Sequence, residues 1–247
     1  MVRGAIFDLG STLISNAFNN RWAGLRPSMI AALAAELHTQ GLTFDDDTFA
    51  AAYNQTFNDF DSQRQTHFKE ITTEYVLSQT FKALGLDLQP VDVARALAAF
   101  FAPSEALWTP MPYLHETLAT LRGQGLALAV VSNAADDANV QRLIDNHNLR
   151  PYFDPIVVSA AVGVRKPNPR IFQPVLQAWR LPPAQIVMVG DTLGADILGA
   201  QNVGLKSIWV TMESDTPYNT AHEHTITPDA VASSLAQLPD LIQSLGS

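Results

Sequence analysis

Leu126-Ala127-Leu128-Ala129-Val130-Val131 is an unbroken apolar run that ends at Ser132-Asn133. A helical pattern precedes it (Leu114, Leu118 and Leu121, stopped by Gly123 and Gly125), and another follows with Val140, Leu143 and Ile144. A strand without polar alternation is buried on both faces, which points to a parallel rather than a half-solvated antiparallel sheet. The unit recurs downstream. Ile156-Val157-Val158 is a short strand, and Phe172, Leu176 and Trp179 share a helix face before Pro182-Pro183. Ile186–Val189 is the next strand, Ile197, Leu198 and Val203 form a helix, and Leu205–Val210 is another strand. Upstream, Val2–Asp8 reads as one more short buried strand. Interleaved strands and helices predict an α/β fold whose parallel sheet is covered on both faces. Ligands of such sheets sit at the carboxyl ends of the strands, where Asp8, Ser132 and Asp191 fall.

Between the first two strands the pattern is helical. Ile30, Leu33 and Leu37 share a face that Gly41 ends; Phe49, Tyr53, Phe57 and Phe60 recur after the acidic run Asp45-Asp46-Asp47. Leu77, Phe81 and Leu84 stop at Gly85, and Val93, Leu97 and Phe101 at Pro103. This stretch reads as an all-helical insert, its aromatic residues forming a bundle core. Thr211–Ser247 is expected to add a loop and a last helix near Leu235–Leu245.

The 247 residues are enough for one large domain or a core with an insertion, and 47% are hydrophobic. A net charge of −9 argues against broad contact with nucleic acid or an anionic membrane. The absence of cysteine excludes disulfides, thiolate catalysis and thiolate metal sites. Val2–Phe7 is too short for a secretory apolar region, and no segment reaches the ~20 apolar residues of a membrane helix. These features predict a soluble, cytoplasmic, globular protein.

Four stretches carry possible chemistry, each with a plainer alternative. Asp8 ends an apolar strand, a costly place for a carboxylate unless it is a nucleophile, a metal ligand or part of a solvated turn. Ser132-Asn133 offers a hydroxyl and amides to a phosphoryl oxygen, or a turn and helix cap. Arg165-Lys166-Pro167-Asn168-Pro169 presents a compact charge suited to phosphate or clustered carboxylates, or else an exposed loop lysine. Val189-Gly190-Asp191-Thr192-Leu193-Gly194-Ala195-Asp196 supplies two carboxylates beside glycine, fit for Mg²⁺ or for a cap plus a surface aspartate. His222-x-His224 could chelate a transition metal, but such a loop pair is usually solvated, and no histidine is given a role.

Asp8-x-x-x-Thr12, Ser132-Asn133, Lys166 and Gly190-Asp191…Asp196, in that order and at strand ends, resemble the four motifs of the haloacid dehalogenase superfamily. GVRKPNPRIF and GDTLGADILGA look like its first subgroup, and the helical insert resembles that subgroup's C1-type cap. The likeness implies a Rossmann-like three-layer core, residues 1–15 and 106–247, with a helical cap, residues 16–105. It implies phosphomonoester hydrolysis of a small phosphorylated metabolite through an aspartyl-phosphate on Asp8. Thr12, Ser132 and Lys166 would complete the catalytic set. Mg²⁺ would be held by Asp8, the Gly10 carbonyl and Asp191, with Asp196 in support. Ser132 and Asn133 would bind substrate, and Arg21 and Trp22, just past the first motif, would contribute from the cap. Monomer and homodimer both fit.

The chain departs from that pattern at Gly10. Most phosphatases of the superfamily carry aspartate there to protonate the leaving group and then activate water, help typically worth ~10²–10⁴-fold. A leaving group that departs unprotonated, a proton from the cap or water, or a weakly active, mainly ligand-binding protein would each accommodate the glycine. Dehalogenation is a further alternative, disfavoured by the Asp191–Asp196 pair, which it would leave unexplained.

Overall fold

The computed structural model describes residues 1–16 and 22–246, the side chains of Trp22, Ala23, Ser62, Gln63 and Gln65 excepted. The chain runs β1 (Gly4–Phe7), β2 (Ile14–Asn16), α1 (Trp22–Thr39), α2 (Asp46–His67), α3 (Thr73–Leu84), α4 (Val93–Glu105) and β3 (Trp108–Pro110). It continues α5 (Leu114–Gly123), β4 (Ala127–Ser132), α6 (Asp137–Asn146), β5 (Ile156–Val158), α7 (Ser159–Val162), α8 (Gln173–Trp179) and β6 (Ile186–Gly190). α9 (Leu198–Asn202), β7 (Lys206–Val210), α10 (Pro217–Thr220), β8 (Ala230–Ala232) and α11 (Leu238–Ser244) complete it.

Six strands form one parallel sheet in the order β5-β4-β1-β6-β7-β8. The apolar runs divide by strand period between its two faces. Ala5, Phe7, Leu128, Val130, Val187 and Val189 join one buried layer, while Ile6, Ala129, Val131, Ile186 and Met188 join the other. Burial on both sides is why these strands carry no polar alternation. β1 lies at the centre, where the chain first builds outward through β4 and β5 and then crosses to β6. The carboxyl ends of β1, β4 and β6 therefore open into one crevice.

α1–α4 bury their own apolar cluster, including Leu33, Leu37, Phe49, Tyr53, Leu77, Phe81, Leu97 and Phe100. Asp45 caps α2 by accepting from Thr48 N at 2.8 Å, which explains the acidic start. Gly85 closes α3 in the left-handed conformation, φ 66°, where a β-carbon is disfavoured. The proline at 103 does not stop α4 as its chemistry predicts. The helix reaches Glu105, since Pro103 removes one hydrogen bond near the end while buried Phe100, Phe101 and Ser104 hold the last turn.

Two further differences concern strands. Ile14–Asn16 pairs antiparallel with Trp108–Pro110, a ladder too short to show periodicity, so the two crossings between the sheet and the helices run side by side. The tail adds β8 at the sheet edge as well as the expected final helix, because Ala230-Val231-Ala232 is too short and too small to read as a strand.

Candidate active site

Asp8 directly follows β1, and its N–H donates to Val189 O at 2.9 Å, extending the ladder to β6 by one residue. The chain then folds back sharply. Leu13 N and Ile14 N both donate to Leu9 O, with Ser11 at φ 57°. This turn buries Thr12, whose hydroxyl donates to Asp191 Oδ1 at 3.3 Å.

Lys166 sits in the loop after α7 and is held through its backbone. The side-chain amide of Asn133 donates to Lys166 O at 3.1 Å and accepts from Lys166 N at 2.8 Å. Asn133 lines the cavity, but these two bonds make it chiefly a clamp on the lysine. The ammonium is 2.5 Å from Asp8 Oδ1, 2.6 Å from Val131 O and 2.7 Å from Asp196 Oδ1. The first two contacts are hydrogen bonds, and the third is an ion pair.

Asp191 follows β6, and a single π-helical turn, Leu193–Ile197, carries the chain back so that Asp196 Oδ2 accepts from Thr192 N at 2.9 Å. The carboxyl of Asp196 occupies the space that a β-carbon at Gly190 would take, so the glycine permits the close approach. Trp209 Nε1 and Asn219 Nδ2 each donate to Asp191 O at 2.8 Å, and Asn219 also accepts from Leu193 N.

Asp8, Asp191 and Asp196 offer carboxylate oxygens within 4.8 Å of one another around a single ammonium. Burial pushes the Asp8 carboxyl up to about 6, with Lys166 opposing and Asp196 adding to the rise. Burial likewise raises Asp191 well above the usual carboxylate range, and Asp8 and Asp196 push it further. Burial pulls Lys166 down, but Asp196 and Asp8 outweigh it and hold the ammonium above its ordinary value. One cation thus leaves the cluster with excess negative charge and hard oxygen donors. That chemistry fits a small divalent ion, which would replace the protons that burial favours.

The cluster forms the floor of a cavity of about 760 Å³. Ser132 reaches it from the end of β4; Arg26, Tyr53, Phe57 and Phe100 line it from the helical side. Arg21 lies outside the described residues, as does the side chain of Trp22. Among the described residues no histidine lines the cavity. Trp108 is a lining residue that the sequence does not announce: a β-carbon at Gly10 would stand 3.2 Å from its ring. Asn219 and Glu70 are also unannounced, since isolated polar residues in loops carry no pattern.

Fold and site together define a hydrolase with a Rossmann-like core and a carboxylate–lysine centre at the strand ends. The chain belongs to the haloacid dehalogenase-like hydrolase family, whose model matches residues 45–210. It is similar to a glyceraldehyde 3-phosphate phosphatase of Pyrococcus furiosus, 26% identical over 99% of this chain and 93% of that protein. It also resembles the mouse haloacid dehalogenase-like hydrolase domain-containing protein 3, 31% identical over 83% of each. Among solved structures, a 2-haloacid dehalogenase from Pseudomonas syringae pv. Tomato DC3000 matches over 100% of both chains with a TM-score of 0.70 and 22% identity. A HAD phosphatase from Thermococcus onnurineus covers 98% of each with a TM-score of 0.65 and 21% identity. At those identities the structural matches speak to the fold. No helix among the described residues is long and apolar enough to cross a membrane.

Proposed function

We propose that this protein hydrolyses small phosphomonoesters by transferring the phosphoryl group to Asp8. The observation that carries this reading is the buried Asp8–Lys166–Asp196 contact beside Asp191, set in a family with named phosphatase relatives. An Asp8 oxygen attacks phosphorus, the bond to the leaving oxygen breaks, and water then attacks the aspartyl-phosphate to release phosphate and Asp8. Lys166 offsets the charge that gathers between carboxylate and phosphate. Ser132 and the neighbouring amides hold the transferring oxygens, and Asn133 fixes the lysine. Thr12 and Asn219 orient Asp191. Mg²⁺ would be held by Asp8, Asp191 and the Gly10 carbonyl, with Asp196 in support, and supplies charge neutralisation when bound. Residues 16–105 act as a cap that covers this centre, residues 1–15 and 106–247 being the core.

The test is phosphate release from a panel of phosphate esters with Mg²⁺ and with EDTA. Release that stops with EDTA supports the reading; halide release from haloacids without metal, and no phosphate release, would overturn it. Gly10 provides no proton donor, and the Trp108 ring restricts what can be placed there. Gly10→Asp alone is therefore expected to change turnover of alkyl phosphates by less than about 3-fold. Gly10→Asp with Trp108→Ala is expected to raise it toward ~10²-fold, the usual scale of acid–base help. Steady-state kinetics on ethyl phosphate checks both.

A further inference from the structure

The loop Phe68-Lys69-Glu70, between α2 and α3, lies along the loop that carries Lys166. Lys69 bridges antiparallel to Val164, Glu70 N donates to Gly163 O at 3.1 Å, and Arg165 N donates to Phe68 O at 3.0 Å. This contact brings together Arg64, in the last turn of α2, and Arg165, the residue before Lys166. Both arginines line the same cavity as Asp8.

Two cations there share one fully buried carboxylate. Glu70 Oε1 lies 3.0 Å from Arg64 Nη2 and 3.5 Å from Arg165 Nη1, while Asp61 is 3.6 Å from Arg64. Glu70 is already occupied elsewhere, accepting from the Ser159 hydroxyl at 2.5 Å and from Ile71 N at 3.1 Å. Arg64 Nε is buried and has no hydrogen-bond partner, an expensive condition for a guanidinium N–H. Neither side chain is sealed: 14% of Arg64 and 21% of Arg165 remain accessible. Burial lowers the Arg165 guanidinium below its ordinary value; Glu70 opposes that shift and Arg64 adds to it. Glu70 and Asp61 together offer fewer acceptor sites than the two guanidinium groups have N–H donors, and the fork geometry suits a planar acid group.

We propose that Arg64 and Arg165 form a second anion site in the catalytic cavity, so that the preferred substrate is a phosphate ester whose alcohol part bears another acid group. That group is a carboxylate or a second phosphate, whose oxygens would accept from the accessible part of the Arg64 and Arg165 guanidinium groups. The inference rests on the phosphatase reading, with the reacting phosphate at Asp8 and the remote acid at the arginines.

Binding separates the two ideas. In an Asp8→Asn background with Mg²⁺, calorimetry would compare phosphoglycolate, propane-1,3-diol bisphosphate and ethyl phosphate. One or both acidic esters should bind ~10–100-fold tighter than ethyl phosphate, the scale of a charge-assisted pair. Which of them gains identifies the acid group. Adding Arg64→Gln should bring that preference to within about 3-fold while leaving ethyl phosphate affinity unchanged, and Arg165→Gln should do the same where Arg64→Gln lowers the melting temperature. Equal binding of all three esters, or a preference that survives both substitutions, overturns the inference and leaves the phosphatase reading standing. Failure to bind any ester overturns both.

Discussion

Asp8→Asn is expected to reduce phosphate release by at least ~10⁴-fold while making the metal-free protein more stable at neutral pH. The loss of rate follows from replacing a charged oxygen nucleophile with a neutral amide of the same shape. The gain in stability follows from the cost of ionising a carboxyl at this position. Asp8 has a folded-state value of about 6 against an ordinary 3.8, so between those values the native chain binds a proton that the unfolded chain does not. Its contribution is fully present below the lower value and is lost as the pH rises through the upper one. Asparagine mimics the neutral carboxyl at every pH. The variant should therefore melt several degrees above wild type at pH 7.5 in EDTA, a gap on the order of 3 kcal/mol at most. The gap should close below about pH 4. Calorimetric melting across that range, beside a phosphate-release assay, checks both halves. Undiminished turnover removes Asp8 as nucleophile. A lower melting temperature at neutral pH would show instead that the Asp8–Lys166 contact outweighs the burial cost.

That conflict between chemistry and stability is also why parts of the site were readable from the sequence. Nothing in packing calls for an aspartate after Ala5-Ile6-Phe7, or for two around Gly190, so their presence at strand ends stands out against an apolar pattern. The parallel sheet was legible for a related reason. Strands buried on both faces keep continuous apolar runs, and Leu128 through Val131 carry that mark unambiguously. Short elements lose it. Ile14–Asn16, Trp108–Pro110 and Ala230–Ala232 have three residues each, too few to display a period, and their pairing depends on where the rest of the chain brings them.

The walls of the cavity were harder to read than its floor. Asp8, Asp191 and Asp196 are arranged by local geometry, namely a strand end and one turn of π-helix, so spacing in the sequence reports on them. Trp108, Arg64 and Glu70 act through contacts formed only when the helices dock on the sheet. In the sequence Glu70 is one more acidic residue; in the fold it is fully buried against Ser159 and two arginines. Asn133 shows the intermediate case. Its place beside Ser132 was legible, whereas its grip on both backbone groups of Lys166 depends on the loop returning across the crevice.

Lys166→Met is expected to give the largest loss of stability of any change in the site, and one that depends steeply on pH. Lys166 is 3% exposed, and its ammonium is the only cation in contact with Asp8 and Asp196 among the described residues. Methionine fills much of the same volume, so packing changes little. Val131 O loses its side-chain donor, and three carboxylates lose their counter-charge. Breaking a buried pair in this way typically costs ~3–5 kcal/mol because the stranded charge remains. The sign with pH follows from the partners. Lys166 is held above its ordinary value, so in wild type its contribution is complete throughout the neutral and acidic range. Asp8 and Asp191 are already raised with the lysine present, and without it they rise further. Below the usual carboxylate range they are neutral in both folded and unfolded chains, and the variant loses little. As the pH climbs past 6 they must ionise against one another, and stability falls. The variant should therefore approach wild type near pH 4 and lie ten degrees or so below it at pH 8. Millimolar Mg²⁺ should raise the melting temperature of the variant more than that of wild type, since the cation meets an uncompensated cluster. Melting temperatures at four pH values, with Mg²⁺ and with EDTA, read the whole pattern. A loss independent of pH would mean that the lysine acts by shape, and the charge balance assigned to this centre would have to be abandoned.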